Sequence, residues 1–111
     1  MERKDYKKLC ELSIPIVREV GSFISKELGR VSDDQIEVKE RNSLVSYVDK
    51  EAEKLLVIGL QAILSDAGFI TEEGTVEQGG ASALWIIDPL DGTSNFLHGI
   101  PHFAVSVGLQ V

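Results

Sequence analysis

Apolar residues recur at helical spacing from Asp5 to about Leu28, at Tyr6, Leu9, Cys10, Ile16, Val17, Val20, Phe23, Ile24 and Leu28. Gly29 follows as a C-terminal cap, and Pro15 predicts a kink or break because it removes one backbone donor. Ile36 to Lys39 reads as a short strand, and the "ERNS" that follows as a polar turn. Ser46 opens a second helix, with Asp49 completing a near capping box. Its core face is Val48, Ala52, Leu55, Leu56, Gly59 and Ile63, and it ends at Gly68. The period then shortens. "FITEE" (69–73) is a brief strand and "GTVEQGGASA" (74–83) a glycine-rich surface loop. Leu84 to Ile87 is a buried strand that runs into the acidic turn "DPLDGTSNF". "NFLHGIPH" is irregular or a short helix, after which Phe103, Val105, Val107, Leu109 and Val111 alternate onto one face.

This pattern predicts an α+β domain, two-layered, with two long helices on one face of a mostly antiparallel sheet. At 111 residues the chain fits one small domain. It ends on an apolar strand residue, which predicts that the sequence is the front part of something longer. A net charge of −7 argues against binding a nucleic-acid backbone, which needs clustered Lys and Arg. It leaves room for a small anion, because a bound cation reverses the local sign. The single cysteine, Cys10, predicts a reducing compartment and a buried bystander thiol. The N-terminus lacks a signal peptide's apolar core, and no window has the length of a membrane span, so a cytoplasmic location with no membrane partner is expected.

The acids carry the chemistry. Glu72 and Glu73 finish one strand; Asp88 and Asp91 finish the next. If the two strands are neighbours, three or four carboxylates share one rim. Each pair about 4 Å apart repels by roughly 4 kcal/mol at an effective dielectric of 20. Three such pairs approach the whole stability of a domain, about 5–15 kcal/mol, so the cluster takes up protons or a cation. Oxygen ligands with room for water suit Mg²⁺. Pro89 stiffens the turn and Gly92 lets backbone approach a ligand. The plainer alternative makes Asp88 and Asp91 ordinary turn residues and Asp49 a charge at a helix N-terminus worth about 0.3–1 kcal/mol. An EF-hand does not fit the order of acids, and a D-x-D phosphatase motif fails on their spacing. Pro101, between His98 and His102, argues against a helical metal pair, leaving both as loop or packing residues.

"WIIDPLDGTSNFLHGIPHFAVSVGL" resembles the signature of the inositol monophosphatase family, W-x-[IV]-D-P-[IL]-D-G-T-x-N-F with a following V-S-x-G-like strand. "FITEE" is similar to that family's F-x-G-E-E, and "LVSYVDKEAEKLL" to its L-V-T-x-x-D-x-x-x-E helix start. The resemblance implies the N-terminal half of the layered sugar-phosphatase fold, with Mg²⁺ on Glu72, Asp88, Asp91 and the backbone carbonyl of Leu90. It implies substrate contacts from Glu72, Leu90, Asp91, Gly92 and Thr93. It further implies that Asp49, Thr93 and Glu73 are the catalytic residues, with Asp49 and Thr93 holding and activating the water and Glu73 behind them. Lys39 aligns near the metal site across a gap. Thr71 replaces the family's glycine, and the later W-D-x-A-A-G block, which supplies another metal aspartate, has no match here.

The implied activity is Mg²⁺-dependent hydrolysis of a small phosphate monoester of a polyol or sugar, inositol monophosphate first, by a protein that is a homodimer when complete. Fructose bisphosphate, histidinol phosphate and nucleotide 3′-phosphate are alternatives within that class. A non-catalytic cation-binding or oligomerisation fragment is the alternative outside it.

Overall fold

The computed structural model describes residues 2–38, 44–74 and 82–111. Helix α1 (Arg3–Glu27) starts at a capping box in which the Glu2 amide donates to Asp5 Oδ2 at 2.9 Å. It runs through Pro15 without a break. Leu9 and Ser13 before the proline and Val20 and Ile24 after it are all buried, so packing on both sides holds the helix across the missing bond. These four positions form one narrow line. Cys10 lies about 100° round from Leu9 and is exposed, which corrects the expected buried thiol. Gly29 then takes the left-handed conformation, with φ of +81°.

A 3-10 turn (Asp33–Gln35) leads into β1 (Ile36–Val38), which pairs antiparallel with β2 (Leu44–Ser46). The "ERNS" turn and Lys39 lie outside the described residues, as does most of the glycine-rich loop. Ser46 caps α2 (Tyr47–Ile63), accepting from the Val48 amide at 3.2 Å while its own amide donates to Asp49 Oδ1 at 2.9 Å. The helix stops at Ile63, short of Gly68, which instead begins β3. Its buried face is Val48, Asp49, Ala52, Glu53, Leu56 and Leu60, and Leu55 has turned outward. Gly59 meets α1 at close quarters: a Cβ there would lie 2.6 Å from Ile16 Cγ2.

Strands β3 (Gly68–Thr71), β4 (Leu84–Asp91) and β5 (Ala104–Gln110) form a sheet in that order. Among the described residues two of the three pairings are antiparallel, as expected, but β3 and β4 run parallel and make this sheet mixed. Parallel pairing brings both strand ends to the same rim. In β4, Trp85 and Ile87 are buried while Ile86 is 42% exposed, so the strand alternates. The α1 and α2 pair packs on this sheet, α2 against β4 and α1 against β5. Short helix α3 (Thr93–Leu97) buries Phe96 against Phe103, edge to face at 5.5 Å. Val105, Val107 and Leu109 on β5 and Phe103 just before it are half-buried, while Val111 just after it is 66% exposed. No helix among the described residues is long and apolar enough to cross a membrane.

Candidate active site

The parallel register ends at Thr71 opposite Ile87, so Glu72 and Asp88 each follow the last paired residue of neighbouring strands. An unbroken strand sends side chains three apart to opposite faces. A register shift between Asp88 and Asp91 re-phases β4 at that point, and Pro89, which has no amide to offer a ladder, sits inside it. Pro89 and Leu90 are both buried as a result, which strict alternation forbids.

Asp88 is the electrostatic centre of this rim. Burial pushes its carboxyl above the ordinary aspartate range. The Leu90 amide, donating to Asp88 Oδ1 at 3.3 Å, opposes that shift. The negative charges of Glu72, Asp91 and Asp49 add to it. Glu72 and Asp91 are exposed, while Glu73 and Asp88 are intermediate.

Asp49 stands on the other side, at the buried first turn of α2. Its Oδ1 accepts from the Ser46 amide at 2.9 Å and the Ser46 hydroxyl at 3.0 Å, which fixes the carboxylate's plane. Its Oδ2 is thereby aimed at Thr93 Oγ1, 2.8 Å away, across 44 residues of sequence. The Leu90 carbonyl lies 3.0 Å from the same hydroxyl. A threonine hydroxyl has one hydrogen, so it donates to one of these oxygens at a time and keeps lone pairs for a third group. Gly92, between Asp91 and Thr93, has φ of +95°, and a Cβ on it would lie 2.9 Å from the His102 carbonyl. Only glycine turns the chain here. Asn95 Nδ2 donates to the same carbonyl at 2.9 Å, tying α3 to the segment before β5.

Thus Asp49, Leu90 and Thr93 are joined directly, and Glu72 and Asp91 each act on Asp88 through charge. Glu73 enters through its backbone, its amide donating to Glu53 Oε1 at 2.8 Å. Sequence reasoning gave Glu53 no role. The available signal was an acid four residues after Asp49, among the apolar residues of the same helical face. His98 and His102 are exposed; His98 Nδ1 is 2.6 Å from the Ser94 carbonyl, a local contact closing α3.

The oxygen donors fit a hard cation in chemistry, and the charges of Glu72, Asp91 and Asp49 around the partly buried Asp88 are ones a cation would offset. Among the described residues, no group of three or more His, Cys, Asp or Glu stands close enough to cage a metal. An open set of one or two carboxylates is how Mg²⁺ is commonly held, with water or phosphate filling its other positions.

Two helices layered on a mixed sheet, with a helix start and two strand ends converging on an acidic rim, define the N-terminal portion of the layered sugar-phosphatase fold. The chain belongs to the inositol monophosphatase family, whose model it matches over residues 5–111. Inositol-1-monophosphatase of Rhizobium meliloti is 40% identical over 103 residues, which make up 92% of this chain and 39% of that protein. The fructose-1,6-bisphosphatase/inositol-1-monophosphatase of Thermotoga maritima is 38% identical over 108 residues, covering 96% of this chain and 38% of that protein. In structure, the extragenic suppressor protein SuhB of Bartonella henselae superimposes with a TM-score of 0.81 at 32% identity, over 93% of this chain and 39% of that one. The chain therefore spans about two fifths of the length of these relatives.

Proposed function

We propose that this chain supplies the water-activating half of a Mg²⁺-dependent phosphomonoesterase acting on a small phosphorylated polyol or sugar, inositol monophosphate first. The observation that carries this reading is the Thr93 to Asp49 hydrogen bond at 2.8 Å, set beside the acidic rim. Glu72, Asp88, Asp91 and the Leu90 carbonyl would supply the ligands, with no more than two of the carboxylates on one ion and water or phosphate in its other positions. When bound, Mg²⁺ lowers the pKa of water and neutralises phosphate charge.

The chain's own residues do the rest. Thr93, donating to Asp49, accepts a hydrogen bond from water and orients one lone pair of that water at phosphorus. As the water oxygen bonds to phosphorus and the ester P–O bond breaks, the water's proton passes to Thr93 Oγ1 and that of Thr93 to Asp49 Oδ2. The leaving alkoxide takes a proton from solvent. The left-handed turn at Gly92 would set the direction in which Thr93 leaves the acidic rim, close against the His102 backbone.

Inositol and fructose phosphates both remain open as substrates, since the two relatives named above carry those activities in their names. For these 111 residues by themselves, cation binding without turnover is the second reading. It is favoured by the chain's span of about two fifths of the length of these relatives.

The test measures phosphate release from both substrates by the complete protein, with and without Mg²⁺. Release is expected to depend on Mg²⁺ and to fall by about 100-fold or more in Asp49→Asn, in the range of general-base losses. Labelled solvent oxygen should appear directly in phosphate; trapping a labelled aspartyl peptide instead would overturn the mechanism. In the same protein, Mg²⁺ should raise the melting temperature, and Asp88→Asn or Asp91→Asn should remove that rise. Equal stabilisation of all three proteins would place the cation elsewhere.

A further inference from the structure

We infer that Glu53 is a positioning residue that fastens the acidic end of β3 to the helix turn holding Asp49. The consequence for cation binding rests on the functional reading above; the fastening itself does not. The ladder between β3 and β4 stops at Thr71, one residue before Glu72 and two before Glu73. Glu53 supplies an anchor at that point. It is fully buried, and its Oε1 accepts from the Glu73 amide at 2.8 Å.

Glu53 follows Asp49 by one helical turn, so the two side chains lie on one face of α2 about 6 Å apart along its axis. Asp49 Oδ2 holds Thr93, just beyond β4. Glu53 holds Glu73, just beyond β3. One turn of helix thus spans both strand ends and sets the offset between Glu72 on one and Asp88 on the other, whose charges already act on each other. A carboxylate at a fully buried position is costly unless its oxygens are satisfied, so an apolar residue would suit Glu53's position better if packing were its only task.

Two conservative variants separate reach from charge. Glu53→Asp keeps the carboxylate but withdraws it by one methylene; Glu53→Gln keeps an oxygen at the same reach and loses the charge. Amide hydrogen exchange by NMR, with Mg²⁺ titrated and followed at the Asp88 and Asp91 amides, reads both effects. In the parent chain the Glu73 amide should be protected, although Glu72 and Gly74 beside it are exposed. Glu53→Asp should speed Glu73 exchange and weaken Mg²⁺ by about tenfold each, while Glu53→Gln stays within about threefold. The Leu56 and Leu60 amides should exchange as in the parent, which excludes global loosening.

An unprotected Glu73 amide in the parent overturns the inference whatever the variants do, including a Glu53→Asp that fails to fold. Unchanged Glu73 exchange in Glu53→Asp overturns it too. A parent that binds no Mg²⁺, with Glu73 still released by Glu53→Asp, supports the fastening and sinks the functional reading alone.

Discussion

Asp88 has two opposing contributions: burial and three neighbouring acids raise its carboxyl pKa, and one amide lowers it. The net shift is upward from the ordinary value of 3.8, so the folded chain holds this proton more tightly than the unfolded chain does. Stability gained from that proton is present below the unfolded pKa and is lost as pH rises through the folded one. Without metal, Asp88→Asn should therefore raise the melting temperature at neutral pH, and the advantage should shrink as pH falls toward 3.8. Thermal unfolding at a series of pH values checks this; an advantage independent of pH would assign the effect to something other than the ionised carboxylate. Asp49 contrasts with it. Its carboxylate is nearly inaccessible but is met by two donors from Ser46 and one from Thr93.

At the level of elements, the site depends on how three of them end. The α2 cap and the Asp49 carboxylate are one device, since the oxygen that completes the capping box also sets the direction of the other. The end of β4 depends on its register shift, and the start of α3 on Gly92. Gly92→Ala puts a side chain where φ is +95° and where the backbone of His102 and Phe103 stands within 3.2 Å. Neither carbonyl nor Cα can swing aside as a flexible side chain does. A loss of at least about 2 kcal/mol is expected from the left-handed strain and the contact together, read by urea unfolding. A near-neutral change would mean that this turn relaxes more easily than its contacts indicate.

The whole molecule is thin, 46 × 26 × 18 Å, with its two long helices in one layer on the three-stranded sheet. Among the described residues β5 pairs with β4 alone, leaving its other edge without a neighbour. Beside it a groove is lined by Tyr6, Leu9, Trp85, Val107, Leu109 and Val111. Trp85 Nε1 is buried with no hydrogen-bond partner among the described residues. An unpaired edge next to apolar surface favours self-association. Sedimentation of the 111-residue chain should show apparent mass rising with concentration, and Leu109→Lys should reduce the rise. A monomer at every concentration would contradict it.

The sequence by itself determined which elements form, and it supplied the candidate site residues through their strand-end acids and their resemblance to a family's motifs. Helical and strand periods, the Ser46 cap and the glycine at position 92 are local physics, legible wherever backbone preference and burial agree. It put Asp88 and Asp91 in a turn after a strand ending at Ile87, whereas β4 runs on to Asp91 because β5 pairs with it beyond the register shift. It misplaced Cys10, Leu55 and the end of α2, because a stripe of apolar residues does not state which part of it a neighbour covers. The parallel pairing of β3 with β4 was also beyond it, since pairing direction is set by the chain's path between strands. The meeting of Asp49 with Thr93, and the attachment of Glu73 to Glu53 across 20 residues, belong to tertiary structure. A carboxylate's role depends on which donor stands 2.8 Å away, and packing decides that by bringing distant segments together.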